Sequence, residues 1–357
     1  MLTFFRDKVL AAARPQDEAG GLGVEATIRA AVDAAEPGIG AAFEGRSLAE
    51  ALIRDTLGQT YSYLGEAELA IRQHERSRQL LADELGESHP NTLTATNNLA
   101  LAYESVGRPT EALELYERTL ELRKAKLGGE HPDTLVSMNN LAAAYRAGGR
   151  LAEALQLFER TLELREAKLG PEHRHTLSSV ANLAEALLAD GQPEKALPLI
   201  ARFVAGQRRQ VSPGDPALAG VLESVSLVLL QHAQYQAAEA YLRECLAIRE
   251  KNEADGWTTF NTRSLLGGSL LGQRDYAEAE SLLLAGYEGL NQREAEIAPE
   301  SKRRLTEALE RLVQLYDTWE KKAEADKWRT TLDEHKAALE SSKGAEVLKS
   351  NNSASAR

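Results

Sequence analysis

The chain has 357 residues, a net charge of −12 from 42 Lys and Arg against 54 Asp and Glu, and 43% hydrophobic residues. That acidity, with no basic stripe carrying interleaved aromatics, excludes nucleic acid as a partner. No apolar run reaches the roughly 18 residues of a membrane-crossing helix, so membrane insertion is not expected. One cysteine, Cys245, excludes an intrachain disulfide framework and fits a reducing, cytoplasmic setting.

Residues 1–23 begin with MLTFFRDKVL, charged too early for a signal peptide, and close on RPQDEAGGLG, the Pro/Gly-rich composition of a linker. An Ala-rich amphipathic helix over 24–36 makes residues 24–46 a helical N-terminal cap. From there the chain repeats itself. Residues 89–130 read HPNTLTATNNLALAYESVGRPTEALELYERTLELRKAKLGGE, and residues 131–172 read HPDTLVSMNNLAAAYRAGGRLAEALQLFERTLELREAKLGPE, 42 residues later. Gly65, Gly107, Gly149 and Gly191 keep that grid, as do Ala70, Ala112, Ala154, Ala196 and Ala238. A period of this length is the signature of stacked supersecondary units. About seven such units fit between roughly residues 47 and 341. They are well formed over 47–256 and degenerate over 257–341, the latter closing with a C-terminal cap. Residues 342–357, polar and small, read as a disordered tail.

Each unit encodes two helices. Thr96, Leu99, Ala100 and Tyr103 form one apolar stripe at helical spacing. Gly107-Arg108-Pro109 then interrupts, with Gly suited to a left-handed helix end and Pro to the first turn of the next helix. Ala112, Leu113, Tyr116 and Leu120 carry the stripe of the second helix. The pattern predicts an all-α chain of antiparallel helix pairs.

These residues resemble the tetratricopeptide repeat, and the 42-residue form NNLA…Y…G…EAL…LGxxHP looks like its kinesin light chain type. The likeness is closest in the units starting at His89 and His131 and weakest after about residue 257. It departs where Leu187 and Leu229 replace the aromatic of Tyr103 and Ala233 replaces the turn glycine. The resemblance implies a right-handed superhelical solenoid that binds proteins without catalysis. A second likeness runs from FFRDKVLAAARP to AIRQHERS and is to the segment joining kinase domain and repeats in planctomycete-like bacterial serine/threonine kinases. It implies, as an alternative, a regulatory or substrate-recruiting arm separated from its kinase, with a serine/threonine kinase as partner. No Gly-rich phosphate loop, His-Arg-Asp or Asp-Phe-Gly motif occurs in the chain, so phosphotransfer is not expected of it.

Opposite the apolar stripe, the first helices carry Thr94, Asn98, Leu101 and Ser105, then Val136, Asn140, Ala143 and Ala147, then Ser178, Asn182, Glu185 and Ala189. In the resembling family this face lines a peptide groove. The expected groove residues are Asn97, Asn98, Leu101, Asn139, Asn140, Arg146, Asn182 and Glu185. An amide can both donate to and accept from a peptide backbone, and Arg146 can pair with an acidic side chain. The same spacing equally suits asparagines that join adjacent units. A carboxylate clamp needs Lys where Thr94, Val136 and Ser178 stand, which rejects that variety. His89, His131 and His173 recur at loops, about 10 Å apart by helix packing, too far for ligands held at about 2 Å from one metal. No metal, cofactor or catalytic residue is expected. Cys245 reads as a small core residue, and Trp257, Trp319 and Trp328 as gap fillers or a second contact surface.

Overall fold

The computed structural model describes residues 27–212, 214–298 and 301–354. The linker read at 1–23, the first residues of the cap and the opening of the kinase-like segment lie outside the described residues. Contacts divide the chain into two compact units, one ending at Ala186 and the other beginning at Leu187.

In the first unit, α1 (Ile28–Ala35) and α2 (Ile39–Ala42) precede three helix pairs: α3 (Ser47–Tyr63) with α4 (Ala67–Leu85), α5 (Pro90–Ser105) with α6 (Pro109–Leu127), and α7 (Pro132–Ala147) with α8 (Leu151–Leu169). The unit boundary falls in α9 (Arg174–Ala189). The second unit holds α10 (Pro193–Gln210) and the pairs α11 (Pro216–Gln231) with α12 (Tyr235–Glu253), α13 (Trp257–Gly272) with α14 (Tyr276–Gln292), and α15 (Arg303–Thr318) with α16 (Lys322–Ala354). Within each unit neighbours in sequence pack as antiparallel pairs, three pairs in the first unit and three in the second among the described residues.

Local sequence sets each boundary. The recurring histidines are helix caps: Nδ1 of His89, His131 and His173 accepts from the backbone N–H of Asn91, Asp133 and His175, each at 3.2 Å. Asp215 does the same for Ala217 at 2.8 Å, and Pro follows His89, His131 and Asp215 as the first helical residue. The turn glycines Gly65, Gly107, Gly149 and Gly191 sit at φ of 72 to 76°. In the later pairs Ala233 (φ 55°), Arg274 (φ 67°) and Glu320 (φ 60°) hold that left-handed conformation without glycine's freedom.

Packing follows the same grid. Ala70, Ala112, Ala154, Ala196, Ala238, Ala279 and Ala325 are all buried, and a methyl lets the two helices of a pair approach closely. Val32, Ile39 and Phe43 of the N-terminal segment pack with Leu57, Tyr61 and Ile71, so the cap covers the apolar end of the first pair. Leu187 and Leu229, which stand in for the aromatic, are buried too. Cys245 is fully covered, with its thiol 3.3 Å from Ala219 O, and burial pushes the thiol up from its ordinary value. Trp319 stacks on Tyr276 and under the Lys321 ammonium, while Trp328 meets Tyr287 edge-on.

α16 continues as helix to Ala354, through most of the segment read as a disordered tail. Ala345, Glu346, Leu348 and Lys349 are good helix formers, and no Pro follows Lys322 to stop the helix.

Candidate functional site

The helix face singled out by the sequence belongs to α5, α7 and α9, the same registers recur in α3, and the face is described within the first unit. Three of its asparagines form a ladder. Asn98 Nδ2 donates to Asp55 Oδ1 at 3.0 Å, Asn140 Nδ2 to Asn97 Oδ1 at 2.9 Å, and Asn182 Nδ2 to Asn139 Oδ1 at 2.8 Å. Each rung runs from one first helix to the first helix of the preceding pair. Asp55, Asn97 and Asn139 share one register on the 42-residue grid, so the acceptors recur as regularly as the donors. Asn97 is only 7% exposed. Its side-chain oxygen holds Asn140 in place. Asn98, Asn139, Asn140 and Asn182 are half-buried.

Asp55 lies outside the set expected from sequence, and it anchors the ladder. It accepts from Asn98, from Gln59 Nε2 at 2.9 Å and from the buried His74, whose Nδ1 lies 3.0 Å away. Burial alone pushes the carboxyl up, but these hydrogen bonds outweigh it and hold Asp55 below the ordinary aspartate value. Gly58 makes room for the imidazole: a Cβ there would lie 2.6 Å from the His74 ring. The signal that could have found Asp55 is its place at the Asn97 register one period earlier.

Arg146 and Glu185, both in the expected set, face one another across adjacent pairs, with Nη1 2.6 Å from Oε1. The arginine is thus already paired, with its buried Nε lacking a hydrogen-bond partner. Between the polar groups the face is apolar and open. Leu52 is 47%, Leu101 46% and Val136 37% exposed, and Tyr63 at the Ser105 register is 90% exposed. Large apolar side chains left in water are costly. Leu52 and Val136 share one register of the grid, and Leu101 and Tyr63 lie about two and three helical turns along the same face in their own copies.

Behind this face, buried arginines tie the pairs together. Arg123 donates to Asp133 O, Ser137 Oγ and Thr94 Oγ1, and Arg165 to His175 O, Ser179 Oγ and Leu135 O. In sequence both sit within charged runs of the kind that form solvated faces. Among the described residues no three His, Cys, Asp or Glu side chains gather as a metal site. Nor is any helix there long and apolar enough to cross a membrane.

A family model for the tetratricopeptide repeat matches residues 47–125, 95–167, 133–205 and 174–251, together more than half of the chain. The chain belongs to the tetratricopeptide repeat family. Among solved structures similar to this tetratricopeptide repeat protein is a Podosopora anserina protein described as a kinesin light chain with nearly identical TPR-like repeats. It is 30% identical over 56% of this chain and 95% of its own, with a TM-score of 0.48. BtubC (BKLC) from P. vanneervenii is 20% identical over 65% of this chain and 94% of its own, at a TM-score of 0.53. Aspartyl phosphate phosphatase F from Bacillus subtilis is 13% identical over 93% of this chain and 79% of its own, at 0.56. The last two share the fold. No curated protein matches the chain. The matching family model describes a repeat and not a catalytic domain.

Proposed function

We propose that this tetratricopeptide protein is a non-catalytic interaction scaffold whose first unit holds an extended segment of a protein partner along the open face of α3, α5, α7 and α9. The observation that carries this is the occurrence on one helix face of exposed Leu52, Leu101, Val136 and Tyr63 beside the asparagine ladder. Repeats of this family are typically protein-interaction modules. Successive first helices lie about 10 Å apart, and an extended chain rises about 3.3 Å per residue. Each rung therefore meets about every third residue of the ligand. The ladder uses the amide nitrogens, so the oxygens of Asn98, Asn140 and Asn182 remain to accept backbone N–H groups. Leu101 and Val136 take up apolar side chains between them, and the Arg146–Glu185 pair can exchange onto a charged one.

Crosslinking mass spectrometry on the tagged chain in its native lysate tests this, with the double variant Leu101→Asp/Val136→Asp as control. Both positions are exposed, so circular dichroism should show the fold retained. Partners crosslinked within residues 47–186 and lost in the variant are the expected result. Retention of every partner by the variant would remove this face as the binding site.

A further inference from the structure

The second unit carries a cavity of about 460 Å3 at the equivalent face of its first helices. Leu227 and Gln231 of α11 form one wall, Gly268 and Gly272 of α13 the floor, and Arg304 and Arg311 of α15 the other wall. The glycines create it. A Cβ on Gly268 would lie 3.1 Å from Arg311 Cδ, and one on Gly272 would lie 2.4 Å from the Tyr235 ring. Without side chains at those two positions, Arg311 lies against the α13 backbone and Tyr235 closes one edge.

The charges at this cavity do not balance. Glu307 is the carboxylate among its lining residues, and three guanidinium groups surround it. Arg304 Nη1 and Arg311 Nη2 converge on its Oε2 at 3.0 and 3.5 Å, and Arg303 Nε stands 3.8 Å from Oε1. Arg311 also donates to Ser264 Oγ at 3.2 Å. The lining thus carries a surplus of two positive charges inside a chain whose net charge is −12. A guanidinium has five N–H donors and does not deprotonate in a protein, so one shared carboxylate leaves both charge and donors unused. Burial holds Arg311 below the usual guanidinium value; Glu307 opposes that and the neighbouring Arg304 adds to it. An anion entering the cavity relieves both strains.

We propose that this cavity binds a phosphate monoester carried by a partner protein, with Arg304 and Arg311 donating to its oxygens. Two observations favour phosphate over a single carboxylate. A monoester carries nearly two negative charges at neutral pH, which matches the surplus. Its three terminal oxygens suit two guanidinium groups that converge on one point. Glu307 holds the two arginines in place to receive it. Leu227, Leu230 and Leu271 give a neighbouring apolar side chain somewhere to rest. The site is independent of the peptide face in the first unit and stands or falls by itself.

Isothermal titration calorimetry of the full chain tests it with four probes: a capped Ala-Leu-phosphoserine-Leu-Ala peptide, its serine and aspartate forms, and O-phosphoserine alone. The phosphopeptide should bind at least tenfold more tightly than the serine and aspartate forms, and more weakly as salt rises. Arg304→Gln should weaken it about tenfold. So should Gln314→Glu, which puts a carboxylate on an exposed position of the lining and leaves the fold untouched. Equal binding of the serine and phosphoserine peptides would overturn the proposal, as would indifference to Gln314→Glu. An aspartate peptide as tight as the phosphopeptide would reassign the site to carboxylates. O-phosphoserine as tight as the peptide would overturn the assignment to a partner protein and point to a small phosphate metabolite.

Discussion

Arg165 joins three helices with one side chain, and replacing it should loosen the solenoid at one junction. From α8 it donates to His175 O at 3.0 Å and Ser179 Oγ at 2.7 Å in α9, and to Leu135 O at 3.4 Å in α7. Only 5% of the residue is exposed. Hydrogen bonds from an ionised donor contribute about 1.5–3 kcal/mol each. Simple addition overstates the loss, because His175 and Leu135 lie within helices and their carbonyls keep an intrahelical donor. The group left stranded is the Ser179 hydroxyl, whose burial without a partner costs about 1–3 kcal/mol. Arg165→Leu should therefore destabilise the junction by about 3 kcal/mol, a third or more of it owed to Ser179.

The protein contains its own control. At the Arg165 register the chain has Arg123 one period earlier and Leu81 two periods earlier. Fourteen residues on from each stand Ser179, Ser137 and Ala95. The first junction thus replaces arginine and serine by leucine and alanine, which are buried together with Ala51 and Leu80. Arg165→Leu/Ser179→Ala copies that junction and should recover about 1–2 kcal/mol of the loss, because an apolar pair strands no polar group. Urea unfolding gives the totals, and hydrogen exchange along α9 locates the effect. A repeat array unfolds through its weakest interface, so the single variant should split the transition. Two results would refute the reasoning: a double variant no more stable than the single one, or a single variant within about 0.5 kcal/mol of the parent, the range of ordinary surface changes.

Three further outcomes are expected. His131→Ala removes the Nδ1 that caps α7 and should cost about 1 kcal/mol, whereas His131→Asp, the choice the chain itself makes at Asp215, should retain the cap; equal melting temperatures for the two variants would contradict this. Asp55 is held below its ordinary value in the fold, so its contribution is present above the unfolded aspartate value and is lost as pH falls through the folded one. Asn98→Ala deletes one of its donors, and should move both the Asp55 carboxyl titration, followed by NMR, and the acid unfolding midpoint to higher pH. Ala233→Gly relieves a left-handed alanine worth roughly 1–2 kcal/mol against a glycine entropy cost of about 0.5–1 kcal/mol; thermal unfolding should show a net gain, and a loss would mean Ala233 is not strained.

The fold was legible because the repeat states it several times. Glycine at the turns, alanine at the close approaches and Pro after the cap are local requirements, and a 42-residue grid carries them from copy to copy. What the sequence concealed was pairing between copies. Arg123 and Arg165 sit in the runs RTLELRKAKL and RTLELREAKL, where helical spacing alone does not distinguish a covered arginine from its solvated neighbours. Glu185 and Arg146 each suit a ligand contact when taken singly, yet they lie at registers that bring them together across a junction. The α16 extension was hidden for a different reason. Composition reads small polar residues as a tail, but a helix already packed at Trp328 and Leu332 supplies the costly first turns, after which each added residue needs little.

The asparagine ladder shows a structural role directly, and it leaves the amide oxygens of Asn98, Asn140 and Asn182 outside the rungs. Ionised Asp55 can only accept, so it fixes the sense of the first rung: Asn98 must offer its nitrogen. Asn97 and Asn139 then accept through oxygen from Asn140 and Asn182. The register next holds Ala181, which has no acceptor to give, and Ser224 at the donor register turns its hydroxyl to Gly220 O within its own helix. Where a carboxylate returns to that register, at Glu223, it is again taken up, by Asn261 and Arg249. Each rung spends one N–H of an amide and leaves the side-chain oxygens of Asn98, Asn140 and Asn182 as acceptors on the first unit. In the second unit Arg311 gives the corresponding face a surplus of donors instead. In each unit an acceptor at this register, Asp55, Asn97 and Asn139 in the first and Glu223 in the second, holds an amide of the following first helix to the preceding pair.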